Sequence, residues 1–252
     1  MSQSAHPPRP EGHLGLAPAS DGSDVWDEPA LGAAFEVEEG THPTRLTSLE
    51  PALAGMDRSG LPSYSDLYLR HRTGTRALSM WSAVAVAALA GGPVAVLGAF
   101  VAQMFGAPAS VVGIVVVVVL GPVVEEALKA SGVLFLAEQR PWLIPAAWTL
   151  IVAAILSGLV FACIENLLYL HVYIPNPSPG LITWRWVAGP TLHGTASAIA
   201  GLGVARMWSR IHEFGEPPDL RVAAPWLAAA ALVHAAYNGT VVLLEALVPI
   251  LT

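Results

Sequence analysis

Glu125 and Glu126 are adjacent, with Lys129 three residues beyond, in the middle of an otherwise apolar stretch. Three other apolar stretches carry isolated groups of the same kind: Phe161-x-x-x-Glu165-Asn166, His193-Gly194, and His234-x-x-x-Asn238. Carboxylates and imidazoles take and give protons near neutral pH, and both bind divalent ions. A carboxamide one helical turn from a histidine shares its face and can donate to a developing oxyanion. On a helix, Lys129 reaches Glu126 at i, i+3 or Glu125 at i, i+4. An internal ion pair that fixes packing would account for one of the two glutamates and leave the other unexplained. Glu165 has no base within four positions, and Phe161, Glu165 and Tyr169 recur on one helix face. A buried carboxylate of that kind needs a partner on another helix, a proton or a metal, and His193 and His234 are the available partners.

The elements that must hold these groups are membrane spans. Of the 252 residues, 54% are hydrophobic and only 12% are charged, about half the usual charge density of a soluble domain. Mean hydropathy is +0.57. Apolar runs long enough to cross a hydrocarbon core of about 30 Å predict five spans, at 79–104, 110–137, 143–172, 184–208 and 222–250. The expected fold is therefore an all-α, polytopic transmembrane helix bundle with some spans kinked or broken. The second span shows how unusual its glutamates are. Its Val, Ile, Leu and Phe residues favour insertion by roughly 5–10 kcal/mol, while two Glu and one Lys near its centre oppose it by roughly 9 kcal/mol. Pro122 cannot donate to the helix ladder, so the span is expected to kink or restart there. Glu125 and Glu126 would then fall in the first turns of a half-helix, whose positive dipole end favours carboxylates. At about 1.5 Å of rise per residue, Glu125, Glu165, His193 and His234 can share one level between the midplane and one face.

Charge is placed unevenly along the chain. Residues 1–76 hold 11 of the 19 acids and 6 of the 12 bases, with many Pro, Gly and Ser residues and few apolar ones. This composition predicts a disordered acidic tail at 1–76 and a membrane domain at 77–252, with Tyr64 to Tyr68 as one fragment able to dock. The tail carries no basic, then apolar, leader pattern, and its acidity disfavours nucleic acid or anionic lipid as a partner. Arg70, Arg72 and Arg76 precede the first span, Arg140 follows the second, and Arg206, Arg210 and Arg221 bracket the joint between the last two. The stretches 105–109 and 173–183 contain no Lys or Arg. The bias predicts a cytoplasmic N-terminus and an external C-terminus, with Arg185, between Trp184 and Trp186, as an interfacial anchor. Eleven of the twelve bases are Arg, so the one lysine, Lys129, stands out as a compact mid-membrane charge. The one cysteine, Cys163, excludes an intrachain disulfide.

The four motifs, in this order and each in its own apolar run, resemble those of the PrsW-type intramembrane proteases, relatives of the CAAX prenyl endopeptidases. The resemblance covers about 110–240 and implies an integral protein of a bacterial cell membrane. It implies hydrolysis of peptide bonds in membrane-embedded or membrane-proximal proteins, single-span substrates among them. Amide hydrolysis needs an activated water, an oxyanion partner and an acid for the leaving amine. The resemblance implies Glu125 or Glu126 as general base, helped by Glu165 and His193, with His234 and Asn238 facing the tetrahedral oxygen and Lys129, Phe161 and Asn166 in support. It covers both metal-dependent and glutamate-dependent descriptions. In the metal version Zn²⁺ is the candidate ion, with Glu125, Glu126, Glu165, His193 and His234 as its candidate ligands, although no His-Glu-x-x-His helix is present. Two other readings of the same residues stand beside it: a proton- or ion-coupled transporter, and a catalytically inactive scaffold that binds partner helices.

Overall fold

Pro145 and Pro141 set the first departure from the expected spans. They hold 141–146 out of the helix that follows, so the third span starts at Ala147 rather than 143. The computed structural model describes residues 62–104 and 110–251, and every regular element among them is helical. In chain order these are α1 (Tyr64–Gly74), α2 (Ala77–Gln103), α3 (Val111–Gln139), α4 (Ala147–Tyr173), α5 (Pro179–Phe214) and α6 (Leu220–Leu251). The expected tail up to residue 61 and the joint 105–109 lie outside the described residues.

Four of the helices, α2, α3, α4 and α6, are long and apolar enough to cross a membrane. Their outward faces are Leu, Val, Phe and Trp, the surface that lipid requires. The fifth expected span, α5, has ample length at about 54 Å for its 36 residues. It falls short in apolar density because it is the interior helix. It packs along both α4 and α6, and its contact face is made of His193, Ala196, Ser197, Ala200, Gly201 and Val204. Small residues dominate the crossings, as expected where apolar burial gives no advantage over lipid and close backbone approach supplies the contact. A Cβ on Gly91 would collide with the Lys129 carbonyl and Ser157 Oγ, and one on Gly158 would collide with Ser197 and the His193 carbonyl. These two glycines let α2 and α5 close on α3 and α4 at the level of the ionisable groups.

The segment 62–76 corrects the tail expectation. Ser63 and Asp66 form a reciprocal capping box, Ser63 Oγ accepting from Asp66 N–H at 3.2 Å and Asp66 Oδ2 accepting from Ser63 N–H at 3.0 Å. The Ser63 hydroxyl and backbone N–H hold the Asp66 carboxyl below its ordinary value. Helix α1 then docks through buried Tyr68, whose hydroxyl lies 2.9 Å from His212 Nδ1 at the end of α5. Burial raises the Tyr68 phenol above its ordinary value. Arg72 donates to the carbonyls of Trp142, Ile144 and Pro145, and His71 stacks on Trp142. Few apolar residues are needed here, because polar contacts to the α3–α4 joint and the end of α5 do most of the anchoring; composition marked only Tyr64 to Tyr68 as able to dock.

Candidate active site

Pro122 does not break α3. The helix instead widens to one i→i+5 turn over Val116–Leu120, with the Gly121 N–H donating to Val116 O, and resumes at once. A wide turn accommodates the proline ring and its missing donor without ending the helix. Glu125 and Glu126 follow in the first turns after it, about midway along α3. Both are buried, as are Lys129, His193 and His234.

Adjacent residues on a helix point about 100° apart, and the structure gives the two glutamates different surroundings. Glu126 Oε1 pairs with Lys129 Nζ and accepts from His234 Nδ1 at 2.7 Å. With Nδ1 donating, His234 presents its Nε2 lone pair toward Glu125 Oε2 at 3.8 Å. Glu125 Oε2 and Glu126 Oε2 are buried with no hydrogen-bond partner among the described residues. Lys129 reaches further, to His193 Nδ1 at 2.9 Å, with its ammonium 4.7 Å from the Phe161 ring centroid. An ammonium can only donate, so the neutral His193 ring carries its hydrogen on Nε2 and donates to Glu165 Oε2 at 3.2 Å. The rings of His193 and His234 meet edge to face at 4.9 Å. All four motifs thus contribute to one buried network drawn from α3, α4, α5 and α6.

Two of the expected residues stand outside this network. Asn166, expected in support, lies one partner behind it. Its carboxamide brackets Arg185, donating to the Arg185 carbonyl at 2.9 Å and accepting from Arg185 Nε at 3.1 Å. Asn238, expected beside a reacting oxygen, donates instead to the carbonyl of Val117 at 2.9 Å. One participant was missed. Arg185 is no free interfacial anchor: its Nη2 donates to Glu165 Oε2 at 3.0 Å, and its guanidinium lies 3.8 Å over the Tyr169 ring. The sequence signal was an arginine inside an apolar run, eight residues before His193. Glu165 itself is the least enclosed carboxylate, 24% exposed, on a cleft between α2 and α4 lined by Val96, Phe100, Phe161, Tyr169 and Tyr173.

The donor set fits a divalent ion. One ligand atom each from Glu125, His193 and His234 lie within 4.8 Å of one another, against about 3.4 Å between ligands in a tetrahedral zinc site. Glu125 has an unpartnered buried oxygen and His234 an unused lone pair, and Glu126 fixes the His234 ring as a supporting carboxylate does in such sites. His193 would exchange one of its two present bonds for the ion. No curated protein and no solved structure matches the chain. The sequence model of the PrsW family intramembrane metalloproteases matches residues 78–252, which takes in α2 to α6 and leaves α1 outside. With that match over most of its length, this multi-pass membrane protein belongs to the PrsW family of intramembrane metalloproteases.

Proposed function

We propose that the protein cuts single-span membrane proteins within or close to the bilayer, with Glu125, His193 and His234 holding a Zn²⁺ ion. The observation that carries the reading is the buried Glu125–His193–His234 group, whose Glu125 carries an unpartnered oxygen. When bound, such an ion makes a coordinated water more acidic and polarises the scissile carbonyl. The chain's own groups do the rest. Glu126 orients His234 through Nδ1 and is itself balanced by Lys129. Glu165, on the open side of the cluster, takes the proton of the attacking water and returns it to the leaving amine. Arg185 holds the Glu165 carboxylate in place for both transfers. The narrow cleft between α2 and α4 opens on Glu165 and is walled by Phe100, Phe161, Tyr169 and Tyr173, which keep bulk water from the carboxylate.

A second reading, in which Glu125 itself is the general base and no ion takes part, is favoured by the same unpartnered oxygen. Chelation separates the two, because only the metal version loses activity with chelator and regains it with added Zn²⁺.

We further propose a bacterial cell-membrane location with the N-terminus, including the acidic segment 1–61, in the cytoplasm. The support is that α1, the α3–α4 joint and the end of α5, which carry five of the eight Arg among the described residues, touch one another and so lie at one membrane face. The deciding experiment incubates purified protein in lipid with single-span substrates, comparing wild type with Glu125→Gln. Cleavage by the wild type alone supports the reading, and equal cleavage by both removes Glu125 from the chemistry.

A further inference from the structure

We infer that Asn238 is a positioning residue: its carboxamide supplies the hydrogen-bond donor that Pro122 lacks, and so holds the helical register from which Glu125 and Glu126 project. The wide turn of α3 pairs the Gly121 N–H with Val116 O, five residues back. The next donor in that register is residue 122, whose partner would be Val117 O. Proline has no N–H, so Val117 O is left without a ladder partner at a depth where lipid offers none. Asn238 Nδ2 lies 2.9 Å from that oxygen.

The consequence reaches the site because a wide turn contains one extra residue. Closing it to an ordinary α-turn would rotate the following helix by about 100° relative to the preceding one. Glu125 and Glu126 stand three and four residues after Pro122, so that rotation would turn both away from His193 and His234. Helix α6 therefore grips α3 on both sides of Pro122: Asn238 on Val117 O before it, and His234 on Glu126 after it. The His-x-x-x-Asn spacing places these two grips one turn apart on one face of α6. The role in catalysis rests on Glu125 belonging to the site, as proposed above. The bond to Val117 does not.

The test uses full-length protein in nanodiscs as wild type, Asn238→Ala, Pro122→Ala and the double variant. Amide hydrogen exchange across 116–126 is followed alongside kcat and KM on a single-span substrate. Asn238→Ala should speed exchange of this segment roughly tenfold or more and lower kcat about as much, with KM little changed. In the Pro122→Ala background residue 122 carries its own N–H, so adding Asn238→Ala should change either readout less than about threefold. Should Pro122→Ala itself be inactive, exchange still reads the cycle, and Asn238→Gln, which keeps the donor, should exceed Asn238→Asp in kcat. Unchanged exchange in Asn238→Ala would overturn the inference. So would a kcat loss equal in both backgrounds, which assigns Asn238 to the reacting oxygen, or faster exchange with full kcat, which makes the bond merely structural. If even the wild type cleaves nothing, the proposed function fails, while the exchange cycle still decides whether Asn238 replaces the missing N–H.

Discussion

Glu126 and His234, 108 positions apart, meet through a 2.7 Å hydrogen bond from ring Nδ1 to a carboxylate oxygen that also pairs with Lys129. This bond divides the two neighbouring glutamates into different roles. Glu126 has one oxygen, Oε1, taken up by two fixed partners, whereas neither Glu125 oxygen has a hydrogen bond among the described residues and the His234 ring approaches it at 3.8 Å.

Glu125→Gln should therefore lower cleavage at least ~10²-fold and reduce bound metal, since it replaces a charged ligand by a neutral, weaker one. Glu126→Gln should weaken metal binding by about 10–100-fold through a misoriented His234, the usual effect of losing a supporting carboxylate. Metal content of the purified variants, measured beside cleavage, orders the two. Equal metal content in wild type and both variants would count against the ligand set.

Lys129→Met leaves Glu126 buried without its cation, and a broken buried pair of this kind costs about 3–5 kcal/mol. Denaturant unfolding in detergent should show the loss, and Lys129→Met with Glu126→Gln should recover part of it. A double variant no more stable than Lys129→Met would mean the pair is not what stabilises this crossing.

Gly158 meets the His193 carbonyl and Ser197 where α4 crosses α5. Gly158→Val forces these helices apart, with an expected stability loss of about 1–3 kcal/mol. Because the displaced backbone carries His193, activity measured well below the unfolding temperature should fall as well. Retained activity would show that His193 does not need this close approach.

Asp66 gives α1 a pH dependence of known sign. Its folded pKa lies below the unfolded value, so its contribution to the α1 cap is present above about pH 4 and lost as pH falls through the folded value. Amide protection over 64–74 should drop in acid for the wild type. In Asp66→Asn it should be lower throughout and lack that drop.

Reporter fusions should place the joint 215–219 on the same side as the N-terminus and the joint 174–178 on the opposite side, following the Arg distribution. A reporter at 174–178 on the side of the N-terminus would overturn the topology.

Length and polarity of the runs were legible from the residues alone, because a bilayer accepts only long apolar helices with their backbone bonds closed internally. The same rule exposed the site: an ionisable group in such a run is costly enough to need a reason, and Glu125, Glu126, Glu165, His193 and His234 stood out for it. Spacing also flagged Pro122, although it could not say whether the chain would break or widen there. That outcome depended on Asn238 reaching the Val117 carbonyl from 121 positions along the chain. Rotation of each helix about its axis was likewise beyond the sequence. It decides that Glu126 rather than Glu125 meets Lys129, that Arg185 turns inward to Glu165, and that Asn166 turns away to hold Arg185. Spacing along one helix fixes which residues share a face, but which face meets a neighbour is settled by small-residue crossings such as Gly91 and Gly158, where backbones from distant parts of the chain come into contact.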